Sequence, residues 1–201
     1  MRKLDVFVES GVGSFPGVHI RALAGLNYWQ IKSWLPYRTA APESPLLSRR
    51  RLPYPVGTMV SGPDQVLCLA PTEWWLVSKD RSDSGQSEPL VTDVQGHNFV
   101  AVNLADGFVG LEVRGPVART VLAKGCGLDF HLRAFPAGRC ARTRFAQIPV
   151  VIVHEDDTEC FQLHVARSYS QYLSSWLNDA ALEFAEGSKG PDGSCSSSII
   201  S

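Results

Sequence analysis

Apolar positions along the chain recur in short runs that predict a protein built mainly from β-strands. The runs are rich in β-branched, aromatic and leucine residues and are bounded by Gly, Pro, Asp or Ser. They cover residues 18–23, 66–69, 73–78, 99–104, 108–113, 140–145, 148–154 and 160–165. Asp106 and Gly107 separate two of the runs, and an Asp-Gly pair in that position is typical of a hairpin turn. The pattern therefore predicts antiparallel pairing.

Two segments show helical spacing instead. Pro116 suits a first helical turn, and Val117, Val121 and Leu122 recur at helical spacing until Gly125, which predicts a helix over residues 116–124. A second helix is expected to open at Ser168. Its apolar face is predicted to hold Tyr169, Tyr172, Leu173, Trp176 and Leu177. Strand pairs followed by helices indicate an α+β fold with antiparallel sheets and helices packed on one side.

The chain of 201 residues, 44% of them hydrophobic, is long enough for one domain with a good-sized core. We expect a flexible N-terminal arm over residues 1–16, a folded domain over 17–186 and a disordered tail over 187–201. Residues 35–63 contain six prolines and three successive arginines, which favours a long loop and a candidate interface. The polar residues 79–88 are interpreted as a surface loop.

Charge and cysteine content narrow the possible partners. Nineteen basic and 20 acidic residues give a formal charge of -1, so no global excess of charge favours nucleic acid or an anionic membrane. The five cysteines are widely spaced, which favours reduced thiols and a cytoplasmic location. No apolar stretch reaches the length of a signal peptide core or a membrane span, so neither secretion nor insertion is expected.

No catalytic, cofactor or metal site is predicted. Cys126 follows the end of a predicted helix, where the dipole raises a thiol pKa, so we expect a buried structural cysteine. His131 lies near Asp129 and Arg133, and we interpret it as fixing a turn by hydrogen bonds. The five histidines show no metal-binding spacing, the serines lack a nucleophile elbow, and residues 11–13 lack a dinucleotide-binding fingerprint.

Arginines are dense between residues 114 and 144, and guanidinium groups pair well with carboxylates. Two interpretations stay open: contact with an acidic partner or an anionic ligand, or pairing within the chain to Asp106, Glu112 or Asp129. If Arg142 and Arg144 lie on a strand, they point to the same face. The candidate partner or anion contacts among the basic residues are Arg119, Arg133, Arg139, Arg142 and Arg144.

Trp74 and Trp75 should face opposite sides of their strand, so that one is predicted in the core. The other is either covered within the chain or exposed to a partner. Trp74 is our candidate for a partner contact.

Four segments resemble a known family in their order and spacing. They are GPVAR from residue 115, AKGCGLDFH from 123, RAFPAGRCART from 133 and HVARSYSQYLSSWL from 164. This family is the gamma subunit of heterotetrameric sarcosine oxidase, a small relative of the aminomethyltransferase, or glycine-cleavage T-protein, fold. The similarity continues more weakly through PTEWWLVS and covers roughly residues 15–185. The segment NYWQIKSWLP, residues 27–36, departs from the family's usual pattern, which leaves the N-terminal contacts open.

The resemblance implies an aminomethyltransferase-like folate-binding-domain fold and a non-catalytic gamma subunit. Such a subunit supports assembly of a flavin-containing complex that oxidatively demethylates sarcosine. FAD, FMN, NAD and tetrahydrofolate are then expected on companion subunits and none on this chain. Alpha, beta and delta subunits are the implied partners, chiefly alpha. The matched motif residues are implied to be framework positions.

Two alternatives remain. The chain could be a free aminomethyltransferase, with Asp129 or Asp106 orienting the amine and Arg142 or Arg144 holding the pterin-glutamate. It could also be a stand-alone folate-binding module related to iron-sulfur maturation members of the same fold. Those members carry a KGCYxGQE-like signature, and the segment AKGCGLDFH matches only its first three residues, KGC.

Overall fold

The structure, a computed structural model, describes residues 13–35, 52–62, 64–78, 99–104, 106–156 and 158–186. Over these ranges the strands are β1 (Gly13–Phe15), β2 (Val18–Leu23), β3 (Asn27–Ser33), β4 (Met59–Val60), β5 (Asp64–Ala70), β6 (Glu73–Ser78), β7 (Phe99–Asn103), β8 (Phe108–Arg114), β9 (Arg139–Phe145), β10 (Ile148–Asp156) and β11 (Cys160–Ala166). The helices are α1 (Ala118–Gly125) and α2 (Ser170–Glu186), and a 3-10 turn at Arg167–Tyr169 precedes α2.

The strands form two antiparallel sheets. The larger sheet has six strands in the order β1-β2-β8-β11-β10-β9, and the smaller has five in the order β4-β5-β6-β3-β7. A bridge between Thr58 and Arg139 joins the two sheets at the edges formed by β4 and β9. The amide of Met59 donates to Gly138 O at 3.1 Å, and that of Cys140 donates to Gly57 O at 3.0 Å. Main-chain hydrogen bonds therefore hold the sheets together at one side.

The central strands of the larger sheet are buried on both faces, which explains their near-continuous apolar sequences. On β11, Phe161, Leu163 and Val165 face α1 and α2 and are fully buried, whereas Gln162 and His164 face the other way, toward the smaller sheet. The apolar layer between the sheets includes Tyr28, Leu67, Trp75, Val77, Cys140, Val151 and Val153. A third apolar cluster covers the far face of the smaller sheet.

This arrangement confirms the α+β prediction of antiparallel sheets with helices on one side, since both helices pack against the larger sheet. Each predicted strand is present, with small shifts at its ends. Helix α1 begins two residues later than predicted, because Pro116 and Val117 form the turn before it. Strand β3 is an addition to the predicted set. The apolar–polar alternation typical of a strand is interrupted at its start, because Tyr28 and Trp29 are successive apolar residues that are both buried, on opposite faces of the sheet.

The arm predicted over residues 1–16 is wrong for its last part. Gly13–Phe15 forms β1 and pairs with β2, because Gly17, with φ of 80°, closes a tight turn between them. Residues 1–12, the loop 79–88 and the tail 187–201 lie outside the described residues. Of the predicted loop 35–63, only residues 35 and 52–62 are described, and they include the short strand β4.

Candidate functional site

The glycines of the family-like motifs hold α1 close to its neighbours. Gly115 has a φ of 132°, and a Cβ there would lie 2.3 Å from the carbonyl oxygen of Gly17. A Cβ on Gly125 would lie 2.7 Å from the rings of Phe145 and Trp176. A side chain at either position would collide with packed atoms. These observations agree with the implied framework role of both glycines.

Arg119 projects from α1 into the region between the helix and the β10–β11 hairpin. Its Nε donates to Glu159 Oε2 at 2.5 Å, and its Nη1 donates to the carbonyl of Phe130. Its guanidinium lies 5.0 Å from the centre of the Phe161 ring. With 17% of its side chain exposed, Arg119 is occupied within the chain. Its carboxylate partner is Glu159 and not one of the three acids named from the sequence.

His154 lies beneath this arginine and is fully buried. Its Nδ1 is 3.1 Å from Phe135 O, and its Nε2 is 3.4 Å from Arg119 Nη2. The imidazole stacks on Phe161 with ring centres 4.5 Å apart and an interplanar angle of 14°. The two rings and the guanidinium thus connect α1 to both strands of the hairpin.

A second internal ion pair lies at the other side of the larger sheet. Glu112 is buried and accepts hydrogen bonds from Arg21 Nε at 2.7 Å and Nη2 at 2.8 Å. Arg114 Nε lies 3.4 Å from the same carboxylate. Burial alone raises the pKa of Glu112, but the hydrogen bond and charge of Arg21, together with the charge of Arg114, lower it below its ordinary value. Pairing within the chain therefore accounts for part of the arginine cluster.

In the loop after α1, the polar residues form the hydrogen-bonded turn that the sequence predicts. The amide of His131 donates to Asp129 Oδ1 at 2.8 Å, and the amide of Arg133 donates to His131 Nδ1 at 3.2 Å. His131 thus fixes a turn, as expected. Cys126 is buried, and its Sγ accepts the Leu128 amide at 3.4 Å, which agrees with a structural cysteine. Arg133 is exposed.

Arg142 and Arg144 point to the same face of β9, as expected for a strand paired in regular register with β10. Arg142 forms an ion pair with Glu73 of β6. Arg144 is exposed and donates from Nη2 to Gln147 O at 2.9 Å. Arg139 is half-buried at the bridge between the sheets, where its guanidinium lies against Gly57.

The prediction of Trp74 as a partner contact is wrong. Its side chain is 0% exposed, and its Nε1 donates to Pro53 O at 3.0 Å. It lies in the cluster on the far face of the smaller sheet, close to Phe99. Trp75 points to the opposite face, as predicted, but it is also buried, in the layer between the sheets. Both tryptophans are covered because this sheet has an apolar layer on each face.

A cavity of about 460 Å³ opens between the two sheets. The sequence shows no motif for it, because its lining residues come from separate strands of both sheets. Its polar lining residues are Gln30, Lys32, Glu73, Arg142 and His164, and the rings of Trp75 and Phe108 also line it. The signals in the sequence are an acid, Glu73, that opens a strongly apolar strand and polar residues that alternate along β3.

Glu73 organises the polar side of this cavity. Its carboxylate is bound by the Arg142 guanidinium and accepts Gln30 Nε2 at 2.8 Å. Burial raises the pKa of Glu73, but the hydrogen bonds from Arg142 and Gln30 and the charges of Arg142 and Lys32 outweigh it and lower the pKa. The Arg142 guanidinium also lies 5.9 Å from the Trp75 ring.

The opposite wall of the cavity contains His164, which is fully buried. Its Nδ1 is 3.0 Å from the hydroxyl of Tyr28. Burial lowers the pKa of His164 to about 4, so the imidazole is neutral near pH 7. Burial raises the pKa of the Tyr28 phenol, which therefore keeps its proton. His164 Nε2 and Trp75 Nε1 are buried without a hydrogen-bond partner among the described residues.

The cysteines and the titratable groups suggest no further reactive site in the described part of the chain. Cys68, Cys126, Cys140 and Cys160 are free and buried there. Burial raises the pKa of Cys68, Cys140 and Cys160, which disfavours the thiolate form. In the same ranges, no three His, Cys, Asp or Glu side chains group closely enough to hold a metal ion. No helix among them is long and apolar enough to cross a membrane.

Comparison with solved structures identifies the fold. A chain of the heterotetrameric sarcosine oxidase from Corynebacterium sp. U-96, solved in complex with pyrrole 2-carboxylate, superposes with a TM-score of 0.73 at 23% identity, covering 90% of this chain and 93% of that one. The glycine cleavage system aminomethyltransferase T from Bartonella henselae superposes with a TM-score of 0.57 at 13% identity, covering 87% of this chain and 47% of that one. The aminomethyltransferase-like fold implied by the sequence is confirmed.

Sequence comparison agrees. The sarcosine oxidase subunits gamma of Arthrobacter sp and of Corynebacterium sp. (strain P-1) are each 32% identical over 124 residues, which are 62% of this chain and 56% of each relative. The chain thus spans little more than half the length of the curated relatives it matches. The model of the family described as "Sarcosine oxidase, gamma subunit family" matches residues 45–183. The chain belongs to the sarcosine oxidase gamma subunit family.

Proposed function

We propose that this chain is the gamma subunit of a heterotetrameric sarcosine oxidase and supports assembly of the flavin-containing complex that oxidatively demethylates sarcosine. The complex is an oxidoreductase that acts on the CH–NH group of its donor with oxygen as acceptor, and this chain is not catalytic alone. The observation that carries the proposal is the structural role of the residues in the family-like motifs. Gly115, Arg119 and Gly125 make contacts within the chain that hold its elements together, which supports a framework role.

The proposed partners are the alpha, beta and delta subunits, chiefly alpha. We place FAD, FMN, NAD and tetrahydrofolate on those companions and none on this chain. A cytoplasmic location, as part of sarcosine catabolism and one-carbon metabolism, completes the proposal. The four cysteines within the described ranges are free and buried, which supports a reducing compartment.

An exposed surface around the β9–β10 turn suits docking to a partner. Arg144 lies on one side of the turn and hydrogen-bonds Gln147 O. On the other side, the Tyr172 hydroxyl donates to Ala146 O at 2.9 Å while 48% of the residue stays exposed. Tyrosine and arginine are enriched among the residues that dominate interface energies. We therefore assign the docking role predicted for the arginines to Arg144, with Arg133 as a second exposed candidate.

Co-expression tests the proposal. The full chain, tagged, is produced with its candidate alpha, beta and delta partners, and the native mass of the purified assembly is measured. We expect one complex that contains all four chains. The double variant R144E/Y172A should recover less of the partners, whereas L182A, which truncates another exposed apolar residue of α2, should recover as much as the parent. A folded monomeric chain beside an active complex of the other subunits would reject the subunit function.

A further inference from the structure

The cavity between the sheets is not accounted for by subunit assembly. Packing between two sheets is normally close, so a space of about 460 Å³ between them is a feature that requires an explanation. Its volume lies within the range of pockets that hold small molecules. The lining combines an apolar surface with a few convergent polar groups, which is the usual composition of such pockets.

The charged groups of the cavity leave an excess of one positive charge. Glu73 is matched by Arg142, with which it forms an ion pair, and by the amide of Gln30. Lys32 lies on the same wall, and within the described residues it forms no ion pair. Arg142 keeps 43% of its side chain exposed, so part of its guanidinium is available to a second acceptor. The polar side of the cavity therefore suits one anionic group.

Two buried polar atoms of the cavity lining lack hydrogen-bond partners among the described residues. Trp75 is 4% exposed and His164 is 0% exposed, yet neither Trp75 Nε1 nor His164 Nε2 has a hydrogen-bond partner among the described residues. The indole Nε1 can only donate a hydrogen bond. Buried polar atoms are almost always satisfied in folded proteins, and an unsatisfied one destabilises the fold. Both residues line the cavity, so a ligand oxygen close to Trp75 Nε1 would supply an acceptor for that donor.

The remaining surface of the cavity is apolar and includes rings. Trp75 and Phe108 meet edge to face with centres 4.7 Å apart, and Leu104 and Val151 lie on the same lining. An aromatic body can stack or pack edge to face on such rings. The anionic group and the apolar body thus have separate places within one cavity.

We propose that this cavity binds a small carboxylate with a flat apolar body. The carboxylate pairs with Lys32 and the free edge of Arg142. The body packs on Trp75 and Phe108. Binding requires only residues of this chain, so it occurs in the isolated full-length protein.

Titration of the full-length chain with 2-naphthoate, followed by the indole N–H signals of its ¹⁵N-labelled tryptophans, tests this proposal. The Trp75 signal, assigned from its loss in W75F, should shift and saturate. The Trp34 signal, from a side chain that is 71% exposed, should stay in place. The neutral analogue 2-naphthamide should bind about fivefold or more weakly, as expected when one exposed ion pair is lost.

Variants separate the cavity from general charge effects. K32Q should weaken 2-naphthoate binding about fivefold, again the effect of one exposed ion pair. R133Q removes an exposed positive charge from the loop after α1, outside the cavity, and it should bind 2-naphthoate like the parent. The proposal is overturned if 2-naphthoate leaves the Trp75 signal unmoved, if 2-naphthamide binds equally well, or if K32Q has no effect.

Discussion

Arg119 of α1 and Glu159 before β11 meet at 2.5 Å across the gap between the helix and the β10–β11 hairpin. The same guanidinium binds Phe130 O and covers the Phe161 ring. One side chain therefore connects helix α1, the loop that follows it and strand β11. A residue of the GPVAR motif is thus engaged in contacts that hold the chain together.

Replacing Arg119 by methionine should lower the free energy of unfolding by about 2 kcal/mol. A fully buried pair would cost more when one partner is removed, but both side chains here are partly exposed. Urea unfolding followed by tryptophan fluorescence measures the change. R133M, at an exposed arginine of the same region, is the matched control and should stay within about 0.5 kcal/mol of the parent. An unchanged stability for R119M, with loss of partner binding, would instead make Arg119 a docking residue.

The glycine at the end of α1 should not tolerate a methyl group. G125A places a Cβ 2.7 Å from Phe145 and Trp176, and such overpacking is expected to cost about 1–3 kcal/mol. Two residues further on, a Cβ added to Gly127 would meet no atom within 4 Å, so G127A is the control and should be nearly neutral. Thermal unfolding of the two variants decides the matter, and equal melting temperatures would contradict the close packing of α1.

The free energy of unfolding should decrease as the pH is lowered, because His164 is buried as a neutral imidazole. Burial lowers the pKa of this imidazole from 6.5 to about 4, so between these values the unfolded chain binds the proton more readily than the folded chain. The contribution of His164 is therefore complete above pH 6.5 and is lost as the pH falls toward 4. Near pH 5 the loss amounts to about 2 kcal/mol relative to neutral pH.

Urea unfolding of the parent and of H164Q at pH 7.5 and pH 5 measures this contribution. The difference between the two pH values should be smaller in H164Q by about 2 kcal/mol. His19 is exposed, so H19Q should keep the dependence of the parent. A pH dependence that is the same in all three proteins would show that His164 does not titrate as the structure requires.

The sequence predicts what depends on local pattern. The strands β8 to β11 follow from apolar runs and from the Asp106–Gly107 turn, and the turn role of His131 follows from its near neighbours. The number of sheets is not a local property. For that reason the local pattern places Trp74 at a surface, although the smaller sheet buries it beneath residues 52 and 53.

The cavity escapes sequence-based prediction for a related reason. Glu73 meets Gln30 across 43 residues of sequence and Arg142 across 69. Only the pairing of strands from two sheets brings these groups together. The sequence offers two signals, a buried acid at the start of an apolar strand and polar residues that alternate along β3, and only the fold shows that they meet.

The central claim is that this chain holds a flavin-bearing complex together and has no turnover of its own. Sarcosine-dependent oxygen consumption by the purified full-length chain, measured beside the co-purified assembly at equal molar concentration, tests it most directly. We predict consumption by the assembly and none above the buffer rate by the chain alone. Oxygen consumption by the isolated chain at a rate comparable to that of the assembly would contradict the claim.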